Sequence, residues 1–542
     1  MVSKKNDGFV RQAGILAMAG IICRIIGILY RSPLAAVIGD EGNGYYGSAY
    51  NIYAIILLIS SYSIPAAISK VIAGKLALKE YKNAQRIFHC AFLYVTIIGG
   101  IAALFAYFAA GILVEKNAVR VLRVLAPTIF FSGFLGVLRG YFQAQRNMVP
   151  TSISQIIEQI LNAIVSVGAA YFLKQSVMTE SETTQAIFGA IGSALGTGSG
   201  VLIGLAVMLF IYGKNRKTYI ERLKEDETET LMSQKEIFGV IFAFVTPFIL
   251  STFIYNFSTS LDEVIYRKIL KNVYEYDVTQ IAVWYGVYSG KAVVISNIPI
   301  AIAAAVSAAM IPTISGRFAV GDIEEANKKI DIAVLATMMV SIPSAMGILW
   351  LADPIVKFLF PGQTNLDLAA GLLRALAITV VFYSLSTLTN AVLQGIGKVD
   401  TPMVHAALSL MIQAIVLVVC LLFTPLNLYA LPVANIVYSF MMCILNQHAV
   451  SKNLGYKQEI HRTFWLPFAA SFFMGVAARL AYDCAARYIG NNVIGLILAL
   501  IMALFVYEIL IIRLGIVKEE TLKMIPRGEI IIKISRKLRL IK

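Results

Sequence analysis

Charged residues are scarce in this chain of 542 residues, where Asp, Glu, Lys and Arg together make up only 14%. A soluble globular domain carries about 25% charged residues. Hydrophobic residues make up 58% of the chain, and its mean hydropathy is +0.76. This composition excludes a soluble globular protein and predicts an all-α polytopic membrane protein.

Cysteine and histidine are also few, with five and four residues that are dispersed along the chain. Their spacing excludes a disulfide framework and a zinc site. A nucleophile elbow and a Gly-rich loop that would cradle phosphate are lacking too, because the motif GTGSG at 196–200 lies inside an apolar run, where small residues allow helices to pack closely. We therefore predict no catalytic residue, no metal site and no cofactor. Na+, H+ and the membrane potential stay open as driving forces.

The apolar runs are long and continuous, as in ILAMAGIICRIIGILY and VIGLILALIMALFVYEILII. About 20 apolar residues in a helix cross the hydrocarbon core, whereas a β-barrel would show shorter, alternating segments. Runs of this kind recur from end to end, with short polar breaks between them. They predict about fourteen transmembrane helices.

Basic residues exceed acidic residues by 46 to 31, and most of them fall in alternate connections, such as 70–86, 214–235 and 513–542. Because positive charge favours the cytoplasmic side, we predict a multi-pass protein of the bacterial cytoplasmic membrane with both termini in the cytoplasm. The charge follows the loops rather than one face, so no nucleic-acid partner is expected. Membrane lipids are the expected surroundings, and we expect a monomer.

Two pairs of segments repeat in the same order. PAAISKVIAGKLALKEYKNAQ is echoed by PTISGRFAVGDIEEANKK, and VLRGYFQAQRNMVPTSISQ is echoed by VLQGIGKVDTPMVHAALS. Such a repeat predicts two six-helix lobes in the same orientation, related by a pseudo-two-fold axis along the membrane normal. The predicted parts are an N-terminal lobe at 1–213, a cytoplasmic linker at 214–235, a C-terminal lobe at 236–450, two further helices at 451–515 and a basic cytoplasmic tail at 516–542.

Two arginines lie inside the first predicted span. Arg24 and Arg31 are seven residues apart, so a straight helix would place both on one face, about 10 Å apart along its axis. An uncompensated arginine near mid-bilayer costs about 3 kcal/mol, so such residues normally face a bundle interior or a water-filled cavity. Snorkelling of Arg31 stays open as an alternative, and Pro33 predicts a bend just beyond it.

Polar side chains also form rows within two later spans. The fifth span carries a row at i, i+3, i+4 and i+7, and the seventh carries a similar row, whereas Lys291 is a cation buried in the eighth. Both rows either line a cavity or bond neighbouring helices, and Glu263 or Asp262 could pair with Lys291. The predicted cavity residues of these rows are Gln155, Glu158, Gln159, Asn162, Asn256, Asp262 and Glu263.

Cationic side chains in a central cavity suit a substrate with phosphate groups, because the planar guanidinium binds phosphate oxygens in a bidentate way. A lipid-linked diphosphate must carry its charge through the bilayer while its tail stays in hydrocarbon. The sequence therefore favours a flippase in which Arg24 and Arg31 bind a diphosphate and the polar row of the fifth span touches sugar.

Several segments together resemble the stage V sporulation protein B and YtgP group of polysaccharide transporters, relatives of the MurJ-type lipid II flippases in the multidrug/oligosaccharidyl-lipid/polysaccharide (MOP) superfamily. They are CRIIGILYRSPLAAVIGDEGNGYYGSAYNIY, SIPAAISKVIAGK, VLRGYFQAQRNMVPTSISQIIEQ, LDEVIYRKIL followed by WYGVYSG, IPTISGRFAVGD and NAVLQGIGKVDTPM.

This resemblance implies a MATE-like, two-lobe transporter that works by alternating access on an undecaprenyl-diphosphate-linked saccharide, such as lipid II or a related polysaccharide precursor. Arg24 and Arg31 match the first-helix arginines that line the cavity in those relatives. Their second-lobe arginine has no clear counterpart here, and Lys291 is taken in its place.

Two other classes of function compete with a flippase. A proton- or sodium-coupled multidrug antiporter of the MATE type shares the two-lobe layout and would depend on Glu158, Asp262 or Glu263. An enzyme such as a glycan polymerase would need a large extracytoplasmic loop carrying an acid, a base or a nucleophile, and the sequence has no such loop. We therefore expect a transporter and not an enzyme.

Overall fold

The computed structural model describes residues 2–58, 60, 64–145, 147–226, 228, 230–398 and 400–516, with side chains at all of these except 2–14, 17, 66–67, 218, 243–256, 306, 308–313 and 319. All regular secondary structure in these ranges is helical. The helices are α1 (Val2–Leu29), α2 (Arg31–Leu57), α3 (Ile64–Ala77), α4 (Tyr81–Phe108), α5 (Ala110–Leu113), α6 (Val119–Ala144), α7 (Val149–Ser176), α8 (Glu182–Lys214), α9 (Arg216–Lys224), α10 (Gln234–Asn272), α11 (Val278–Val287), α12 (Val293–Ala319), α13 (Ile323–Leu359), α14 (Leu366–Gly395), α15 (Asp400–Phe423), α16 (Ala430–Leu454), α17 (Leu466–Ile489) and α18 (Asn492–Arg513).

The length and composition of these helices define a polytopic membrane protein. Within the described residues, 11 helical segments are long and apolar enough to cross a membrane, or up to 12 if the bent pair formed by α1 and α2 counts as one span. The prediction of an all-helical membrane protein is confirmed. The number fourteen stays a prediction.

The first span is broken between the two arginines rather than beyond them. Met18–Leu29 and Arg31–Leu57 meet at an angle of 48°, with Tyr30 at the break. The predicted bend just beyond Arg31 is therefore misplaced. A proline ring clashes with the carbonyl four residues before it and removes a hydrogen bond there, so Pro33 disrupts the turn that precedes it.

Gly39 interrupts α2 a second time, with a φ of 70° and a ψ of −179°. Glycine adopts a positive φ at little cost because it has no Cβ. The break separates the short segment that carries Arg31 from the part of α2 that follows Asp40.

The chain forms two compact units, Met1–Gly290 and Lys291–Lys542. In the first unit α6 packs against α3, α4 and α8, while α2 packs against α8 and α11, and α1 packs on α7. In the second unit α14 packs against α12, α13 and α16, and α17 packs on both α13 and α18. The lobes that the repeat predicts at 1–213 and 236–450 stay a prediction.

Glycines set the distance between α7 and α8. A Cβ built on Gly192 would lie 2.6 Å from the carbonyl carbon of Ala169, and one on Gly196 would lie 2.5 Å from the backbone nitrogen of Ser166. A Cβ on Gly200 would lie 2.8 Å from the backbone oxygen of Glu158. The prediction that GTGSG allows close packing is confirmed, because backbone meets backbone along this stripe.

The segment between α8 and α10 is held against the start of α4. The ammonium of Lys82 donates to the backbone oxygen of Asp226 at 2.8 Å, and the backbone N–H of Met232 donates to Oδ1 of Asn83 at 2.9 Å. Within it, α9 buries Tyr219 against Tyr141, with ring centroids 5.4 Å apart. The predicted linker thus carries a helix and specific contacts of its own.

The glycine stripe gives a matched test of this packing. Gly196→Ala should destabilise the protein by about 1–3 kcal/mol, because a Cβ overpacks a contact with backbone. Gly168→Ala in α7 is the control, since nothing lies within 4 Å of its Cβ position and alanine favours a helix. Thermal midpoints in detergent should fall for the first variant and hold or rise for the second. Equal midpoints would contradict the close packing.

Candidate substrate-binding site

Arg24 is exposed on α1 and lies between two different faces of that helix. Met18, Ile21, Ile22, Ile25 and Leu29 form an exposed apolar face. Gly27 lies near α7, where its Cβ position is 3.3 Å from Nε2 of Gln159. At 3.6 residues per turn, Arg24 projects about 110° from the centre of the apolar face, on the side of Gly27. The guanidinium therefore borders the apolar face without lying within it.

Arg31 opens α2 immediately after the break and is half-buried. Its guanidinium hydrogen bonds with the side chain of Tyr30 and lies within electrostatic range of Tyr46 and Tyr50. Arg31 therefore stands among tyrosines of α2 rather than in a purely apolar setting.

Two arginines of other long helices, Arg374 of α14 and Arg479 of α17, have acidic partners. Arg374 pairs with Asp353, and Nε of Arg479 lies 3.0 Å from Oδ2 of Asp483. In the part of the chain that the structure describes, neither Arg24 nor Arg31 forms an ion pair with a carboxylate. Their positive charge is not neutralised by an acidic neighbour there.

The polar row of α7 contains an ion pair that the sequence did not predict. Nη2 of Arg139, on α6, lies 2.6 Å from Oε2 of Glu158, and its Nε donates to Oγ of Ser154 at 2.9 Å. The two charged side chains are 14% and 27% exposed. Glu158 thus joins α7 to α6, and its charge is compensated.

The other members of this row have different surroundings. Oδ1 of Asn162 accepts a hydrogen bond from Oγ of Ser166 at 3.0 Å, so this residue bonds within its own helix. Gln159 lies beside Gly27 of α1, and Gln155 is half-buried. Some side chains of this row therefore hydrogen bond within the helix bundle, whereas Gln159 lies near α1, the helix that carries Arg24.

A second charged group joins α10 to three other elements of the first unit. Nε of Arg267 lies 2.9 Å from Oε1 of Glu263, and its Nη1 lies 2.7 Å from Oε1 of Glu115. Glu115 belongs to the connection before α6. The amide of Asn51 on α2 donates to Oε2 of Glu263 at 2.7 Å and to the hydroxyl of Tyr285 on α11 at 2.8 Å. Arg267 thus forms ion pairs with two carboxylates.

These contacts assign Glu263 a partner other than the lysine considered from the sequence. The ion pair in the structure is formed with Arg267, four residues along the same helix. Asp262 is 3% exposed and has contacts of its own. The side chain of Asn256 lies outside the described residues.

Lys291 has no exposed surface. Its ammonium donates to the backbone oxygen of Thr364 at 2.8 Å and lies 5.9 Å from the ring centroid of Phe360. Both partners lie in the α13–α14 connection, so the buried ammonium is held by this connection. A direct contact of Lys291 with substrate stays a prediction.

The sequence interpretation missed Arg139, Asn51, Glu115 and Tyr285 as parts of polar clusters. Arg139 lies within the 26-residue helix α6, five residues before its end. In the sequence it directly follows the apolar run FFSGFLGVL, and this adjacency is the signal that could have indicated a partly buried side chain. The other three residues lie on elements distant in sequence, so helical periodicity could not bring them together.

The bundle shares its fold with transporters of the MOP superfamily. It matches an inward-facing multidrug resistance MATE family transporter with a TM-score of 0.65 at 17% identity, covering 79% of this chain and 95% of that chain. It also matches the lipid II flippase MurJ in an inward closed conformation with a TM-score of 0.61 at 16% identity, covering 91% and 97%. The fold of this membrane protein is therefore MATE-like.

A family model narrows this class. The polysaccharide biosynthesis protein family matches residues 9–318, more than half of the chain, and the MatE family matches residues 290–419. The chain belongs to the polysaccharide biosynthesis protein family. This confirms the resemblance identified from the sequence segments.

Two relatives from Bacillus subtilis (strain 168) extend along most of the chain. Lipid II flippase MurJ is 24% identical over 508 residues, which cover 88% of each chain. Stage V sporulation protein B is 23% identical over 529 residues, which cover 96% of this chain and 98% of the relative.

The Arg139–Glu158 ion pair should stabilise the protein by more than the separate contributions of its two side chains. Arg139→Gln or Glu158→Gln should each cost about 1–3 kcal/mol, since removing one partner leaves a partly buried charge without its counterpart. The double variant should recover part of this loss. Thermal midpoints of the wild type, the two single variants and the double variant in detergent would give the coupling energy of the pair. The same set of variants at the exposed pair Lys328 and Glu324 is the control, with a coupling energy near zero. Additive effects at Arg139 and Glu158 would contradict the pairing.

Glu115 gives a pH-dependent test. Burial raises the pKa of Glu115, and nearby Glu263 adds to this, against the lowering effect of Arg267 and Lys271. A carboxyl whose pKa is higher in the folded protein costs stability above its unfolded pKa, and this cost disappears as the pH falls. Glu115→Gln should therefore raise the thermal midpoint at pH 8, and the gain should shrink toward pH 5.

Glu80 is the control of opposite sign. Its hydrogen bond with Lys75 and that with Asn83 lower the pKa of Glu80. Glu80→Gln should lower the midpoint at pH 8, with a smaller loss at pH 4. A Glu115→Gln midpoint below that of the wild type at pH 8 would contradict the account of Glu115.

Proposed function

We propose that the protein is a flippase that moves an undecaprenyl-diphosphate-linked saccharide from the inner to the outer leaflet of the cytoplasmic membrane by alternating access. The observation that carries this proposal is the pair Arg24 and Arg31, whose guanidinium groups have no carboxylate partner among the described residues. Lipid II or a related polysaccharide precursor is the proposed substrate, in keeping with the similarity to a lipid II flippase.

The surroundings of Arg24 fit a ligand with both a charged and an apolar part. Its neighbour on the helix surface is the exposed apolar face that includes Ile21 and Ile25. A polyprenyl tail can lie along such a face while its diphosphate reaches the guanidinium from the side. Arginine suits this task because its charge persists at all physiological pH values and its donors match phosphate oxygens.

The polar row of α7 supplies contacts for the saccharide in this proposal. Gln159 lies close to α1, which carries Arg24, and Gln155 is half-buried one turn earlier. Amide groups can both donate to and accept from sugar hydroxyls. Both termini are proposed to be cytoplasmic, because basic residues concentrate in the connections assigned to that side.

A cation antiporter fits the charges less well. Such a protein needs carboxylates that are free to bind a cation or a proton within the membrane. Glu158 is paired with Arg139 and Glu263 is paired with Arg267, so two of the three candidate carboxylates already have a cation. The similarity to MATE structures, at 16–18% identity, supports the shared fold alone.

The flippase proposal predicts that transport depends on the two unpaired guanidinium groups. In proteoliposomes with a fluorescent undecaprenyl-diphosphate saccharide, Arg24→Gln combined with Arg31→Gln should lower the flipping rate at least about tenfold, because charge-assisted hydrogen bonds contribute about 1.5–3 kcal/mol each. Lysine at both positions should restore part of the rate, since it keeps the charge but loses bidentate geometry.

Arg487→Gln is the matched control, because Arg487 is exposed in the last turn of α17. This variant should flip the probe at the wild-type rate. Flipping at the wild-type rate by a folded Arg24→Gln/Arg31→Gln double variant would refute the diphosphate role of the arginines.

A further inference from the structure

Three tyrosines form a ladder along one side of α2 next to Arg31. The ring centroids of Tyr46 and Tyr50 are 5.5 Å apart, and those of Tyr50 and Tyr53 are 5.6 Å apart. Residues three and four apart are neighbours on a helix surface, so this spacing keeps the rings in contact. The ring of Tyr50 is therefore supported from both sides along the helix.

The two outer members of the ladder are anchored in the bundle. Tyr46 is 3% exposed, and its hydroxyl lies 3.1 Å from Oγ1 of Thr197 on α8. Tyr53 is 2% exposed and hydrogen bonds with Ser132 on α6. Packing and hydrogen bonding explain both residues without a ligand.

Tyr50 differs from Tyr46 and Tyr53 both in its exposure and in its hydrogen bonding. It is 36% exposed, and its hydroxyl has no hydrogen-bond partner in the described part of the chain. Its electrostatic neighbours include Arg31 and Glu158 of α7. An exposed aromatic ring thus lies near both the proposed phosphate-binding arginine and a member of the polar row of α7.

This position suits a sugar ring that is bonded to a diphosphate. The face of an aromatic ring is electronegative, whereas the C–H groups on the face of a pyranose carry a small positive charge, so the two faces attract each other. In a lipid-linked saccharide the first sugar is bonded to the terminal phosphate through one oxygen atom. A phosphate bound by Arg31 therefore brings the first pyranose to the neighbouring ring.

We infer that Tyr50 is the stacking platform for the first sugar of the substrate, the pyranose attached directly to the diphosphate that Arg31 binds. This inference rests on the proposed function. It assigns recognition of the first sugar to α2 and leaves later sugars to the row of Gln155 and Gln159.

The test compares the binding of two probes to the full-length protein in nanodiscs. One probe is undecaprenyl diphosphate, and the other is undecaprenyl diphosphate bearing a single N-acetylglucosamine. The wild type should bind the sugar-bearing lipid more tightly. Tyr50→Leu should weaken binding of that lipid about three- to tenfold and leave undecaprenyl diphosphate unchanged, as expected for the loss of one aromatic contact.

Further variants separate the ring from its hydroxyl and from general effects. Tyr50→Phe should keep most of the preference for the sugar, because the ring remains. Tyr171→Leu, at a tyrosine of α7 that is 50% exposed, should keep both affinities. Arg31→Gln should weaken the binding of both probes. Tyr50→Met, also without a ring, serves in place of Tyr50→Leu if that variant fails to fold.

The outcomes distinguish this inference from the proposed function. Wild-type protein that binds neither probe would overturn the flippase proposal itself. Wild-type protein that binds both probes equally would overturn the role of Tyr50 alone, whatever the variants do. A Tyr50→Leu or Tyr50→Met variant that weakens both probes to the same degree, or neither of them, would also overturn it.

Discussion

An arginine within a membrane span needs either a counter-charge or water, because the guanidinium stays charged and cannot shed its proton to avoid the cost. This chain meets the need in two ways. Arg139 and Arg267 have carboxylates at 2.6–2.9 Å, and Arg374 and Arg479 also pair with aspartates. Arg24 and Arg31 form no such pairs in the described ranges. The diphosphate of the proposed substrate would supply the missing negative charge.

The scaffold around these two arginines combines rigid and broken segments. Backbone contacts at Gly192, Gly196 and Gly200 hold α8 against α7, where a side chain would need to move the helices apart. In contrast, α1 and α2 are interrupted at Tyr30 and Gly39, on either side of Arg31. The segment between the two breaks packs on the same pair, because Leu34 and Ile38 are buried in one cluster with Ala170 of α7.

The sequence predicted what depends on local pattern and composition. Apolar length identified the helices, and the small residues of GTGSG identified a close contact. The spacing of Arg24 and Arg31 predicted one shared face only for a straight helix, and the helix is broken between them. What the sequence did not predict are partners brought together from distant parts of the chain, such as Arg139 with Glu158 or Arg267 with Glu115. The bend was predicted just beyond Arg31 because Pro33 was taken as the point of curvature, whereas the steric effect of proline falls on the preceding turn. A periodic row shows which residues share a helix face, but not which neighbouring helix covers that face.

The lipid that the protein retains during gentle purification tests the central claim most directly. Native mass spectrometry of the wild type, extracted from the cytoplasmic membrane in mild detergent, would identify bound lipids by mass. The account predicts enrichment of a polyprenyl-diphosphate saccharide relative to the bulk membrane, and loss of this enrichment when both first-span arginines are neutral. Retention of bulk phospholipids alone by the wild type, from a membrane shown to contain the diphosphate lipid, would contradict the claim that the unpaired guanidinium groups exist to bind it.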